Sequence, residues 1–487
     1  MRRSCRAHRR ALGECRVMTR RLSLGENRER AIRRTAAIVR RVWAGFDVAR
    51  DAEPDLGPEL RDLLAAPLPE APSPVVTTLD QAVNILDRSL AQSRPRFLAY
   101  IGSSGLEVGA IADFLAASYD ANMALDARAA SLLESQAIGW LAEFIGYPHN
   151  HGLFTSGGTV SNLTALAAAR ERACPGTREA GVASGMAVYC SAESHHSLVR
   201  AIELLGLGRR AVRAIPLDHA RRMRADLLED AIRRDEAANI CPMAVVATAG
   251  TTLTGAVDPL RAIGEVARRY GIWMHVDAAY GGPAAGTAAA LFDGLALADS
   301  VTIDAHKWLF VPKACGIVLV RDPTALIKTF AHHEACLPHE DASPNPVDAT
   351  LEYSRPLRAL KLWLAFKTHG AAAFREAIAG TMALARAAYD RASLLPGFRT
   401  LGTPPQLSVV PLAHVPSGVA DADDHQRRLC HAINRDGRVF LSTAIIDGQT
   451  WLRPCFTNFR TQPSDVDTLF DVIIEQSSLV AKDHPTS

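Results

Sequence analysis

Cysteine is sparse and unpatterned in this chain of 487 residues. The nine thiols stand at positions 5, 15, 174, 190, 241, 315, 336, 430 and 455, with no CxxC and no spacing that pairs them with histidines. An odd, dispersed set argues against a structural zinc site and reads as reduced thiols in a cytoplasm. Net charge is almost missing as well: 54 Lys and Arg against 52 Asp and Glu leave +2. That balance does not suit a nucleic-acid binder. No stretch has the length and apolarity of a membrane span. The nearest, the Ala/Gly-rich run from Gly281 to Ala298, is interrupted by Asp293. Repeats and low-complexity domains are absent too. What is left is a globular chain, 48% hydrophobic, with a length that suits about two or three domains.

Charge is uneven in one place. The first 41 residues hold fourteen arginines against three glutamates and have no apolar h-region, so they are not a secretory signal. An acidic partner, a transit-like role, or sequence preceding a start near Met18 each fit. We expect residues 1–45 to be a disordered basic arm. Residues 46–105 read as a helical segment with a Pro-rich linker, "EPDLGPELRDLLAAPLPEAPSP", and helical periodicity from Leu79 to Leu90.

Beyond it the text alternates. Helical spacing from Leu106 to Tyr119 and from Ala127 to Phe144 precedes short apolar runs at 187–191, 243–250, 272–280, 300–306 and 316–321. Helices of ten to fifteen residues separate most of these runs, which predicts crossover units and a mainly parallel sheet. The link between the last two runs is too short for a crossover, so one of that pair should run antiparallel. A long helix beginning near Leu357 leads to a smaller α/β unit, with "PQLSVVPLAHV" and "TWLRPCFTNFR" as its strands. The expected divisions are 106–365 for the large domain and 366–487 for the small one.

The run "SVTIDAHKWLF" (300–310) poses a question. Lys307 follows directly after a strand that reads as buried, where an unpaired lysine costs several kcal/mol. Either it snorkels at a strand end, or its amine is held dry and partly deprotonated to act as a nucleophile. In open parallel sheets ligands lie beyond the carboxyl ends of the strands. His195 and His196, Thr251 and Thr252, Asp277, and His306 with Lys307 all stand at such ends. Each has a plain explanation: a turn cap, a core histidine, a β-forming threonine. "FTSGGTVSNLTALAAAR" (154–170) adds two glycines, Thr159 and Ser161 at a helix start, where an anion is favoured. With a buried lysine and an acid thirty residues before it, the set suggests a phosphorylated carbonyl cofactor.

These stretches resemble the pyridoxal-phosphate-dependent group II amino-acid decarboxylases, the group that contains the aromatic-amino-acid and glutamate enzymes. The resemblance runs through "FTSGGTVSNLTALAAAR", "SAESHHS", "ATAGTTLTGAVDP", "WMHVDAAYGG", "ADSVTIDAHKW", "LRALKLW" and "LRPCFTNFRT", in family order from about Phe97 onward. It implies fold type I, with a seven-stranded, mainly parallel sheet, and pyridoxal 5'-phosphate bound to Lys307 as a Schiff base. Asp277 would pair with the pyridine nitrogen. A charge pair at about 4 Å is worth about 4 kcal/mol at an effective dielectric near 20, or roughly three pKa units. His195 would stack on the ring, with Ala279, Thr252 and Asp258 near it. Thr159, Val160 (through its N–H), Ser161 and His306 would hold the phosphate. Arg460, or Arg453, would grip the substrate carboxylate, and Tyr100 with Ile101 would line the side-chain site. The resemblance further implies a small amino-acid substrate and a homodimer, expected in the cytoplasm.

One departure stands out. Where the family carries a loop tyrosine that protonates the carbanion, this chain places Cys336 in "KTFAHHEACLPHEDASPNPVDATLEYSRP", and the segment's tyrosine, Tyr353, lies close to the next helix. Either His332, His333 or Cys336 donates the proton and an amine forms, or the reaction ends oxidatively in an aldehyde. A drifted loop with water as donor is a further alternative. A catalytically inactive binding protein would keep the fold and lose the chemistry.

Overall fold

The computed structural model describes residues 22–49, 55–90, 92–102, 104–182, 185–332 and 345–482. The chain divides into two compact units, Met1–Ala91 and Gln92–Ser487. The first holds helices α1 (Arg28–Phe46), α2 (Gly57–Ala65) and α3 (Val75–Asp87). The expectation of a disordered arm through residue 45 is corrected here. From Arg28 onward the arginine-rich run is helical, and two of its cations meet acids on α3: Arg34 pairs with Asp80, and Arg41 with Asp87 at 2.7 Å.

The second unit opens with α4 (Glu107–Tyr119) and α5 (Ala129–Ile145). Strand β1 (His151–Thr155) and α6 (Gly158–Ala173) follow, then β2 (Met186–Ser191), α7 (His196–Leu204) and β3 (Val212–Ile215). Next come α8 (Ala225–Ala237), β4 (Cys241–Thr248), α9 (Leu260–Arg269), β5 (Trp273–Asp277), β6 (Ser300–Asp304) and β7 (Gly316–Val320). The seven strands form one sheet in the order β1-β7-β6-β5-β4-β2-β3. Only β7 runs against its neighbours, antiparallel to both β1 and β6, while the remaining pairs are parallel. The expected fold and the antiparallel pair at 300–304 and 316–320 are both found. Strands β2, β5, β6 and β7 are buried at every residue, as continuous apolar runs covered by helices on both faces should be.

Ala359–Leu394 forms a 36-residue helical run, α10, interrupted at Gly370 by a non-helical φ of 75°. The expected division after residue 365 falls within this run, near that interruption. A four-stranded antiparallel sheet follows: β8 (Phe398–Thr400), β9 (Leu412–His414), β10 (Thr443–Ile446) and β11 (Gln449–Leu452), in the order β10-β11-β9-β8. Helices α11 (Ala422–Asp436) and α12 (Pro463–Lys482) accompany it around a core that includes Leu429, Phe456 and Phe470. Among the described residues, no helix is long and apolar enough to cross a membrane, and no cluster of His, Cys, Asp and Glu could hold a metal ion.

Candidate active site

The carboxyl ends of β4, β5 and β6 converge on a cavity of about 400 Å³. Its walls include Thr159, Val160, His195, Thr252, Asp277, Ala279, His306 and Lys307. Eight of the residues singled out in the sequence are therefore brought together, from segments spread over 150 positions of chain. The topology explains why. Parallel strands point their carboxyl ends the same way, so the turns after them share one rim.

Asp277 ends β5 with its carboxylate fixed from two sides. Asn162 Nδ2 donates to Oδ2 at 2.9 Å, and the Ala279 N–H donates to Oδ1 at 3.2 Å. Behind Asn162 lies a directed chain of hydrogen bonds. Its Oδ1 faces His275 Nε2 at 3.0 Å, and His275 Nδ1 faces Ser300 Oγ at 2.8 Å. Ser300 Oγ accepts from Trp273 Nε1 at 2.8 Å. The carboxylate only accepts, so Asn162 must present its NH₂ to Asp277 and its carbonyl to His275. His275 then carries its proton on Nε2. Full burial pushes its pKa down to about 4, so the ring is neutral and Nδ1 accepts from the Ser300 hydroxyl. Every member of the chain is satisfied.

His195 caps α7, with Nδ1 accepting from the Ser197 N–H at 3.2 Å and meeting Ser197 Oγ at 2.8 Å. Burial lowers its pKa, which leaves a neutral ring whose proton sits on Nε2. His306 is lowered in the same way, chiefly by burial.

Lys307 lies in a single helical turn, Ala305–Trp308. Its side chain is only 22% exposed, so it does not snorkel into water. Its Nζ stands 3.0 Å from Asp304 Oδ2, an acid 3% exposed and one turn earlier. Of the two alternatives drawn from sequence, the snorkelling lysine does not hold, and the amine stands beside a buried acid. The second oxygen of Asp304, Oδ1, is buried with no hydrogen-bond partner.

The start of α6 is shaped by glycine. A Cβ on Gly158 would lie 2.9 Å from Asp304 Oδ2 and 3.1 Å from Ala279 Cβ, and one on Gly316 would lie 2.5 Å from the Gly157 Cα. Gly158 and Thr159 open the helix, so their N–H groups have no acceptor a turn earlier and are available to an anion. Two expected phosphate contacts are corrected. The Val160 N–H donates to the Gly157 carbonyl at 2.9 Å, and Ser161, fully buried, bonds Thr155 Oγ1 at 2.7 Å.

The remaining expectations separate from the cavity. Arg453 is buried and donates to the Thr252 carbonyl at 2.8 Å. Arg460 is buried, donates to the Ser104 carbonyl at 2.7 Å and pairs with Glu107 on α4. Neither lines the cavity, and each meets a protein acceptor. Tyr100 is 54% exposed and Ile101 packs on the main core. Asp258 holds the backbone N–H groups of Met223 and Thr248, and burial pushes its pKa up to about 6. Thr251 closes a turn onto Thr254, and His196 begins α7. His332 stands at the surface, 3.4 Å from Arg178 Nη2, and Tyr353 is half exposed. His333 and Cys336 lie outside the described residues.

The cavity-lining groups not singled out from sequence include Asn162, Ser197 and Asp304. Asp304 sits in the quoted run, three residues before Lys307, which is one helical turn. Asn162 and Ser197 gave no comparable signal.

A cavity of this size with an acid at one end, an amine in its wall and a glycine-cut helix start fits a planar heterocyclic aldehyde bearing a phosphate. Fold and cleft together define a fold-type-I pyridoxal-phosphate enzyme. A family model described as the pyridoxal-dependent decarboxylase conserved domain matches residues 58–401. The aromatic-L-amino-acid decarboxylase of Bacillus atrophaeus is 32% identical over 422 residues, 84% of this chain and 86% of that protein. The L-2,4-diaminobutyrate decarboxylase of Rhizobium meliloti is 32% identical over 430 residues, 86% of this chain and 85% of that one. Among solved structures, Oryza sativa TDC with PLP and tryptamine superposes with a TM-score of 0.87 at 23% identity, covering 93% of this chain and 98% of that one. The chain belongs to the pyridoxal-dependent decarboxylases. Its cofactor is pyridoxal 5'-phosphate, and it is a lyase that decarboxylates an amino acid.

Proposed function

We propose that this enzyme converts an L-amino acid to the corresponding amine and carbon dioxide, with Lys307 as the residue that binds the cofactor aldehyde. The observation that carries the reading is that Lys307, Asp277 and the start of α6 line one cavity. When bound, the cofactor would supply an electron sink for the pair left on the substrate's α-carbon as carbon dioxide departs. The protein supplies the rest. Asp277, fixed by Asn162 and the Ala279 N–H, presents a negative charge to the ring nitrogen. Ala279 and His195 bound the space for the ring, and Thr252 flanks it. The first N–H groups of α6, the Thr159 side chain and His306 receive the phosphate. His195, with its proton on Nε2, is placed to hold or deliver a proton at the substrate.

The aldehyde-forming alternative rests on the replacement at Cys336, and nothing among the described residues adds to it. We favour amine formation for that reason. A homodimer is part of the reading: α4 exposes Ile111, Phe114 and Tyr119 at 46%, 59% and 86%, an apolar face suited to a second copy.

The test is a panel of aromatic, acidic, basic and branched amino acids, with amine, carbon dioxide, aldehyde, ammonia and peroxide all measured. Amine and carbon dioxide in equal amounts are expected for at least one substrate. Aldehyde with ammonia and peroxide would overturn amine formation, and a cofactor spectrum that no amino acid perturbs would favour the inactive protein.

A further inference from the structure

Asp304 is a buried acid in the cleft that the proposed chemistry does not use. It touches three things at once. Its Oδ2 is 3.0 Å from Lys307 Nζ and 3.8 Å from His306 Nε2. Its carboxylate packs against Gly158, the first residue of α6, so closely that a Cβ there would come within 2.9 Å. Its Oδ1 has no donor. The acid therefore stands in the anion-favouring helix start that a phosphate needs, while also neutralising the amine that a carbonyl needs.

We propose that Asp304 is a specificity-determining residue for the cofactor: it withholds the Lys307 amine from carbonyl compounds until a phosphate group reaches the start of α6. The inference rests on Lys307 being the carbonyl-binding amine. An ammonium paired with a carboxylate has no lone pair to offer a carbonyl carbon. A phosphate placed beside Asp304 puts two anions into one poorly solvated space, and each raises the other's affinity for a proton. The nearest proton is on Lys307. It moves from Nζ to Oδ2: one N–H bond breaks, one O–H bond forms, and the electron pair stays on nitrogen. Neutral Asp304, its new proton shared with the Lys307 amine 3.0 Å away, no longer repels the phosphate as the carboxylate does. The titratable groups around Asp304 are Lys307 and His306 on its own segment, His195 at the start of α7 and Cys315 beside β7. Burial holds both imidazoles towards neutrality and pushes the Cys315 thiol up to about 12, so Lys307 is the available donor.

The experiment uses the full chain freed of cofactor and measures capture of aldehydes by borohydride reduction and mass spectrometry. Wild-type protein should capture pyridoxal at least about tenfold more slowly than pyridoxal 5'-phosphate. Inorganic phosphate added separately should accelerate pyridoxal capture. Asp304→Asn should capture pyridoxal at least about tenfold faster than wild type, with no further gain from inorganic phosphate. Pyridoxine 5'-phosphate has no aldehyde and reads the phosphate cradle alone, so its binding to the variant should be unchanged or tighter. The proposal is overturned by a wild-type pyridoxal rate that phosphate does not move, by a variant that keeps wild-type discrimination, or by one that loses pyridoxine 5'-phosphate binding. Lys307→Ala separates the underlying assignment: a reduced adduct that survives in that variant would mean another amine binds the carbonyl.

Discussion

The two sides of the cleft are built differently. On the cofactor side, Asp277 is held by Asn162, which is held by His275, which is held by Ser300 and Trp273, all within the sheet and the helix above it. On the expected substrate side, Tyr100 is half exposed at a left-handed φ of 57°, and its N–H reaches Ser442 Oγ only at 3.4 Å. Both candidate arginines are turned to protein acceptors. The cofactor side is thus tied into the sheet by hydrogen bonds, whereas the expected substrate side hangs on connecting segments. The reaction class belongs to the strands, and the choice of amino acid belongs to what surrounds them.

Three variants test that contrast. Asp277→Asn keeps the shape and removes the charge. If the cofactor side carries the chemistry, decarboxylation should fall by about two to three orders of magnitude, the equivalent of about 4 kcal/mol, with cofactor still captured. A loss below tenfold would break the contrast.

The second is a stability measurement. His275 is fully buried with a folded pKa of about 4, against about 6.5 in an unfolded chain. Between those values the unfolded state takes up the proton and the folded state does not, so stability falls as pH drops from about 6.5 towards 4, by up to about 3 kcal/mol. Tm followed against pH should show this loss, and His275→Gln should show a shallower slope. Equal slopes would mean that the chain behind Asp277 is not the acid-sensitive element.

The smallest effect is expected on the other side. Tyr100→Ala should change KM by less than about tenfold and leave kcat and Tm near wild type, because an exposed side chain contributes little to folding. A collapse of kcat would place Tyr100 in the chemistry and erase the difference between the two sides.

Much of the cofactor side was legible in sequence because buried parallel strands announce themselves as apolar runs, and their ends mark the rim. His195, Asp277, His306 and Lys307 were marked by their place at strand ends, Thr159 by the glycine-led helix start, and their roles were implied by the family resemblance. Strand β1 was not legible: "HGLFT" has no β-branched interior and carries Gly152, where a Cβ would lie 2.2 Å from the Val318 carbonyl oxygen. Its glycine records a close approach between backbones, which sequence periodicity does not reveal. Strand β3 is four residues at the sheet edge and half solvated. The Asp304–Lys307 pair was visible as spacing, yet its meaning needed the third party, Gly158, from 146 residues upstream. Arg453 and Arg460 meet backbone acceptors that motif position does not reveal.

The amide of Asn162 must give hydrogens to an anion on one side and receive one from an imidazole on the other. Few side chains can do both at that reach. Substituting it alone strands two partners at once, whereas exchanging it together with His275 can restore a consistent pattern. Positions 162 and 275 should therefore drift in concert among descendants of this gene, a signature of epistasis written by the polarity of a single amide.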